Sequence, residues 1–167
     1  MIQIRLATPQ DALDIATINI ACWKTAYRGL IEDDFLDKLS VTEKRIEHFQ
    51  SDILTDDIYL VAENKGIIVG YLSGGKVSQR HLPYPYEIYK LYVHPDFQHQ
   101  GVGTALINAF KEKINKSAFC VYTLEGNTRA ICFYQKNGGI RHPEFDCDQK
   151  IYGLVVHELC LAFKGKK

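Results

Sequence analysis

At 167 residues the chain is long enough for one domain spanning 1–167, with 46% hydrophobic residues to build a core and 24% charged residues. Lysine plus arginine equals aspartate plus glutamate at 20 each, so no net field favours nucleic acid or an acidic membrane surface. No apolar run approaches the ~20 residues that a membrane span needs, no signal peptide precedes Ile2–Leu6, and the expectation is a cytoplasmic protein without nucleic-acid or membrane partners.

Ile2–Leu6 alternates and predicts a strand. Thr8-Pro9-Gln10-Asp11 predicts a helix start, with a hydroxyl cap, proline at the first helical position and an acid in the first turn. Ile15, Ile18, Cys22 and Ala26 mark its buried stripe, and it ends before Arg28-Gly29. Glu32 to Leu39 predicts a short second helix, and Ser40-Val41-Thr42-Glu43 has the capping-box spacing that opens a third, with Ile46, Phe49 and Ile53 inward. After Asp56-Asp57 the pattern turns to strands: Ile58–Glu63 and Ile67–Gly74 flank Asn64-Lys65-Gly66 as a hairpin, and Tyr86–His94 runs up to Pro95. An amphipathic helix begins near Gly101, with Val102, Ala105, Leu106, Ala109, Phe110 and Ile114 on one face. A strand over Ala118–Leu124, a helix from Thr128 to Asn137 and two last strands, Ile140–Phe145 and Ile151–Ala162, complete the expectation. Helices and strands in this order build an α/β or α+β sandwich around one sheet.

Five cysteines form an odd set without CxxC spacing, and all but Cys147 stand among apolar residues, so they read as reduced core residues. The six histidines are scattered, without zinc-ligand spacing. No metal site is expected. The basic run Lys164, Lys166 and Lys167 reads as a solvated tail.

The chemistry concentrates in residues 86–117. A strand ends at Pro95, a short loop follows, and Gln98-x-x-Gly101-x-Gly103 leads directly into a helix. Glycines there let backbone approach a ligand, and the free N–H groups and dipole of the helix start favour an anion of phosphate type. There is no Gly-Lys-Ser/Thr of a P-loop and no Gly-x-Gly-x-x-Gly of a dinucleotide binder. A tight turn without ligand would produce the same glycines, so neighbouring residues must decide.

Gln98-x-x-Gly101-x-Gly103, preceded by Leu91-Tyr92-Val93-His94-Pro95, resembles the coenzyme A motif of the GNAT superfamily of N-acetyltransferases. Asn127 and the run from Ala130 to Gly138, with Phe133-Tyr134-x-Lys136-x-Gly138, resemble that family's second motif. The resemblance covers roughly residues 58–162. It implies a mixed, mostly antiparallel sheet of about seven strands, splayed between strands 4 and 5, with helices on both faces and acetyl-CoA in the gap. The implied cofactor contacts are Leu91, Tyr92 and Val93 on the strand and Gln98, His99, Gln100, Gly101, Val102, Gly103 and Thr104 around the pyrophosphate. Asn127, Ala130 and Tyr134 would follow along the pantetheine, and the Val93 N–H would meet the thioester carbonyl.

Tyr134 reads either as a core aromatic or as the general acid that protonates the departing thiolate, which the resemblance favours; a phenol near its ordinary pKa of ~10 keeps its proton at neutral pH. Glu87, six residues before Val93, is the candidate base, since an alkylamine is mostly protonated at pH 7 and cannot attack; a solvent-facing acid at a strand start is its other reading. Trp23 and Tyr27 share a helix face and, with Tyr84 and Tyr86, are candidates for the acceptor pocket, although core packing explains Trp23 and Tyr27 equally well. Glu32-Asp33-Asp34 would attract a cationic amine such as a polyamine, or simply begin a helix. Gly139 departs from the family, which places a large apolar residue there. The resulting expectation is direct acetyl transfer, in a ternary complex, from acetyl-CoA to a small primary amine of polyamine or amino-metabolite type, with a homodimer implied only by the resemblance. A protein or peptide amine, a non-catalytic acyl-CoA sensor and a nucleotide-phosphate binder are the alternatives.

Overall fold

A computed structural model describes residues 2–55, 57–77, 82–151 and 153–166, in which eight strands join one sheet. Strand β1 (Ile2–Leu6) leads through a 3-10 turn at Pro9–Asp11 into α1 (Ala12–Ala26), α2 (Asp33–Lys38) and α3 (Glu43–Ile53). Then come β2 (Ile58–Asn64), β3 (Ile67–Lys76), β4 (Tyr86–Val93), α4 (Val102–Lys113), β5 (Phe119–Leu124) and α5 (Thr128–Lys136). The last strands are β6 (Ile140–Arg141), β7 (Cys147–Ile151) and β8 (Leu154–Phe163). Their order in space is β1-β2-β3-β4-β5-β8-β6, with β7 also lying along β8; β4 and β5 run parallel and the other neighbours antiparallel. Asp56 and Lys167, named above as part of a break and a tail, lie outside the described residues.

Period-two alternation feeds two cores. Tyr59 and Val61 of β2 face Ile15, Ile18 and Cys22 of α1 and Phe49 of α3. Leu60 and Ala62 face Leu106 and Phe110 of α4 on the other side. The β2–β3 hairpin turns through Lys65 at φ 53° and Gly66 at φ 82°, the left-handed pair that a two-residue turn matched to strand twist requires.

Four expectations shift, the first being that Cys132, read as a core residue, is exposed. Thr42, not Ser40, caps α3: its backbone is extended and its hydroxyl accepts the Arg45 N–H at 3.3 Å. The two last strands become three, because Pro143 opens a 3-10 turn through Phe145 and lacks the donor a ladder needs. Residues 147–151 then pair antiparallel with β8. The place of the apolar residue missing at Gly139 is taken by Phe163, since a Cβ on Gly139 would stand 3.0 Å from the Phe163 ring and 2.9 Å from the Tyr134 oxygen. Among the described residues no helix is long and apolar enough to cross a membrane.

The feature that positions the site is a bulge in β4. Its register against β3 jumps from Ser73↔Lys90 to Gly74↔Ile88, leaving Tyr89 as the extra residue. Parallel pairing with β5 covers only Tyr86, Glu87 and Ile88 and ends at that bulge. The sheet therefore opens between β4 and β5.

Candidate active site

Past the bulge, Leu91, Tyr92 and Val93 stay in register with Leu72, Tyr71 and Gly70 of β3 but have no partner on β5. The His94 N–H donates to the Val69 oxygen at 2.9 Å. Alternation then turns the main-chain groups of Leu91 and Val93 away from β3, into the gap. On that side the Val93 oxygen accepts Gln98 Nε2 at 2.8 Å and the Cys22 thiol at 3.1 Å. Burial pushes the Cys22 thiol up to about 12, so it stays protonated and serves as a donor.

The loop leaving β4 passes a 3-10 turn at Pro95–Phe97 and takes left-handed φ values at His99 (61°) and Gly101 (82°) before α4 starts. The N–H groups from His99 to Thr104 donate to no acceptor among the described residues. Consecutive unsatisfied donors at a helix start form an anion-binding concavity. The two glycines differ in role. Nothing lies within 4 Å of a Cβ built on Gly101, which faces open space, whereas one on Gly103 would meet Phe133 Cζ at 2.8 Å. Gly101 leaves room for a ligand; Gly103 lets α5 pack. Arg129 Nη2 stands 2.8 Å from His99 Nε2, bringing a cation to the loop. Asn127 Oδ1 accepts the Ala130 N–H at 3.1 Å and so caps α5.

A cavity of about 700 Å³ runs from this loop through the gap to the face carrying α1 and α3. In its middle, Trp23 Nε1 donates to the Tyr92 hydroxyl at 3.1 Å, and the Tyr92 and Tyr27 hydroxyls bond at 3.1 Å. The Trp23 and Tyr27 rings meet edge to face at 4.8 Å. Tyr134 lines the same space, packed edge-on against Phe133 and Phe163. Its hydroxyl makes no hydrogen bond among the described residues. Burial raises the pKa of Tyr134, Tyr27 and Tyr92 above the ordinary phenol value, so all three keep their protons.

Most residues read from sequence come together on this wall: Trp23, Tyr27, Leu91, Tyr92, Val93, Gln98, His99, Gly101, Val102, Gly103, Thr104, Asn127, Ala130 and Tyr134. Four do not. Glu87 stands in the paired half of β4, opposite Gly75 and Cys120. Gln100 turns back to donate to the Asp96 oxygen at 3.0 Å. Tyr84 packs on His142 and Phe145, and Tyr86 packs against the core beneath α4. The acids Glu32, Asp33 and Asp34 are also off the wall, and Asp33 pairs with Arg28 at 3.5 Å.

The wall also holds groups that the linear sequence did not single out: Asn19, Arg45, Lys90, Arg129 and Glu158. Glu158 had a signal. In β8 it follows Leu154 and Val156, which face the cluster around Trp23 and Tyr27, at the same period of two. Arg45, Lys90 and Asn19 come from three elements and carry no joint pattern.

Comparison with known proteins accords with this geometry. The family model described as acetyltransferase (GNAT) domain matches residues 55–138, half of the chain. An uncharacterised N-acetyltransferase of Bacillus subtilis, YuaI, is 29% identical over 166 residues, covering 98% of this chain and 93% of that protein. The spermidine N(1)-acetyltransferase of Thermoplasma acidophilum is 21% identical over 145 residues, 82% of this chain and 87% of that one. Among solved structures, the PaiA N-acetyltransferase of Thermoplasma acidophilum in complex with coenzyme A superposes with TM-score 0.78 at 19% identity, covering 98% and 99% of the two chains. That likeness is one of fold.

Proposed function

The chain belongs to the acetyltransferase (GNAT) domain family, and from that premise we propose that it transfers the acetyl group of acetyl-CoA directly to the primary amine of a small molecule. One observation carries the proposal: His99 and Gly101 to Thr104, whose N–H groups are undonated, line the same gap that receives the N–H of Val93. The first set fits a diphosphate and the second fits a carbonyl oxygen. A gap between parallel strands fits the arm that joins them.

When bound, acetyl-CoA supplies a thioester carbon open to attack and a thiolate leaving group. The residues of this chain do the rest. The Val93 N–H donates to the carbonyl oxygen as negative charge grows there, and one such donor is worth roughly 3–4 kcal/mol in comparable acyl transfers. Tyr134, protonated and without another partner, donates its hydroxyl proton to the departing sulfur. As the amine nitrogen bonds to the carbonyl carbon and the carbon–sulfur bond breaks, the amine must lose a proton. Glu87 lies off the cavity wall; Glu158 is the carboxylate on it among the described residues, and it takes that proton. Tyr27 lies close enough to Glu158 for the carboxylate to raise its pKa, which puts a hydroxyl beside the path. Arg129, beside His99, adds positive charge at the diphosphate end.

Calorimetry with acetyl-CoA, followed by thiol release with and without added amines, tests the reading. Uptake of acetyl-CoA with amine-dependent thiol release is expected. Uptake without release under any amine would mark an acyl-CoA sensor instead, and equal protection by ADP would mark a phosphate binder.

A further inference from the structure

The acceptor end of the cavity carries a charge pattern that the transfer step does not need. Among the described residues on the wall, one carboxylate, Glu158, stands against Arg45, Lys90, Arg129 and Lys136. Arg129 and Lys136 belong to α5, on the diphosphate side. Arg45 and Lys90 stand on the other face of the sheet, on α3 and β4, with His48 beside them.

These two cations are held in position. The buried Asn19 side chain donates from Nδ2 to the Tyr71 hydroxyl at 2.9 Å. That fixes the amide so that Oδ1 accepts Arg45 Nη1 at 3.2 Å. Lys90 crosses the Phe49 ring with its Nζ 5.1 Å from the centroid and 3.6 Å from Asp52 Oδ2. Asp52 is the local counter-charge. The same oxygen also accepts the Tyr59 hydroxyl at 3.0 Å and stands 3.3 Å from His48 Nε2, and Asp52 itself does not reach the wall. Among the described residues, Asp52 is the carboxylate paired with Lys90, and it is shared with Tyr59 and His48. Burial lowers the Lys90 pKa, Asp52 opposes the shift and the nearby Arg45 charge adds to it, so the two cations share one site. Lys90 lies two residues before Tyr92 on the same face of β4, roughly 7 Å along the strand from the hydroxyl network at the gap.

We infer that Arg45 and Lys90 form an anion subsite for the acceptor, so that the substrate class is an amine that also carries a carboxylate, not a polyamine. The inference rests on the N-acetyltransferase reading above and names its substrate class. A polycation entering this arm would meet two like charges held by the fold, whereas an amino acid offers its carboxylate to the patch and its amine to the gap, near Glu158. Arginine in particular presents a fork that a carboxylate matches.

The test compares free amino acids with their carboxamides and with spermidine as acceptors, using thiol release in the wild type and in Arg45→Gln, Arg45→Lys and Lys90→Met. Wild type is expected to favour acids over the matching amides at least ten-fold in kcat/KM. Arg45→Gln should bring the ratio to near one, with partial recovery in Arg45→Lys. Because acid and amide are compared within one variant, loss of folded protein cancels. Calorimetry of the favoured amino acid into protein saturated with coenzyme A gives a second readout, and its affinity should fall about ten-fold in Arg45→Gln. A preference for spermidine or for amides, or an acid-to-amide ratio that Arg45→Gln and Lys90→Met both leave unchanged, overturns the anion subsite while the transferase reading stands. Release with no amine at all overturns both.

Discussion

The Gln98 side-chain amide donates to the main-chain oxygen of Val93 at 2.8 Å. The bond ties the start of the loop before α4 to the last residue of β4, so the N–H groups of that loop and the Val93 N–H move as one piece. Gln98 thus acts through its side chain as a splint within the loop.

Removing that splint should loosen the cofactor site without unfolding the chain. Gln98→Ala loses one part-buried hydrogen bond, worth about 1 kcal/mol, and leaves the Cys22 thiol on the same oxygen. Acetyl-CoA affinity by calorimetry is expected to fall several-fold at nearly unchanged melting temperature. An affinity equal to wild type would reject the splint.

Gly101 and Gly103 should respond differently to alanine. At Gly101 the φ of 82° costs about 1 kcal/mol for a residue with a Cβ, and the added methyl projects into open space at the cavity wall. Gly101→Ala should mainly weaken acetyl-CoA binding. Gly103→Ala pushes a methyl to 2.8 Å from Phe133 Cζ, and overpacking of that kind costs roughly 1–3 kcal/mol. Its primary effect should be a lower melting temperature. Thermal melts and calorimetry on both variants separate the outcomes, and a reversed order would contradict the assignment.

Tyr134→Phe removes a hydroxyl that bonds nothing among the described residues. Stability and acetyl-CoA affinity should stay near wild type while kcat falls by about 10²–10⁴, the usual contribution of a positioned general acid. Parallel losses of affinity and kcat would make Tyr134 a packing residue.

Glu158→Gln is expected to remove the acidic limb of kcat/KM against pH, because that limb reports the base of the free enzyme. Glu87→Gln should keep it, since Glu87 lies in the paired half of β4 and off the cavity wall. The opposite result would return the proton to Glu87.

Burial raises the pKa of Tyr27, Tyr71, Tyr92 and Tyr134 in the folded chain. The sign follows from linkage. The neutral phenols contribute stability that is fully present below the unfolded value of ~10 and is lost as pH rises beyond it. Alkaline unfolding should therefore begin near pH 10, with ionisation of these tyrosines coinciding with loss of near-ultraviolet circular dichroism. Their ionisation in a chain that keeps its dichroism would refute this.

Local chemistry made much of the molecule legible in the sequence. Proline and hydroxyl caps, the Lys65-Gly66 turn and the apolar stripe of α4 each act within a few residues, and the sequence expectation followed them. The left-handed Gly101 at a helix start and the Asn127 cap are local as well, which is why the loop before α4 and the start of α5 could be read before any fold was known. Where a cap could stand at either of two hydroxyls, at Ser40 or Thr42, spacing alone chose the wrong one.

The sequence by itself determined the order of elements and the left-handed glycine turn that starts α4, because both depend on interactions between near neighbours in the chain. Only the tertiary structure decided which charged groups face the cavity. Glu87 stays in the paired half of β4 and off the wall, Glu158 arrives from β8, and Arg45, Lys90 and Asn19 meet from α3, β4 and α1. Those meetings are set by the β4 bulge, strand register and helix packing, which bring together residues far apart in the chain and leave no trace in its local pattern.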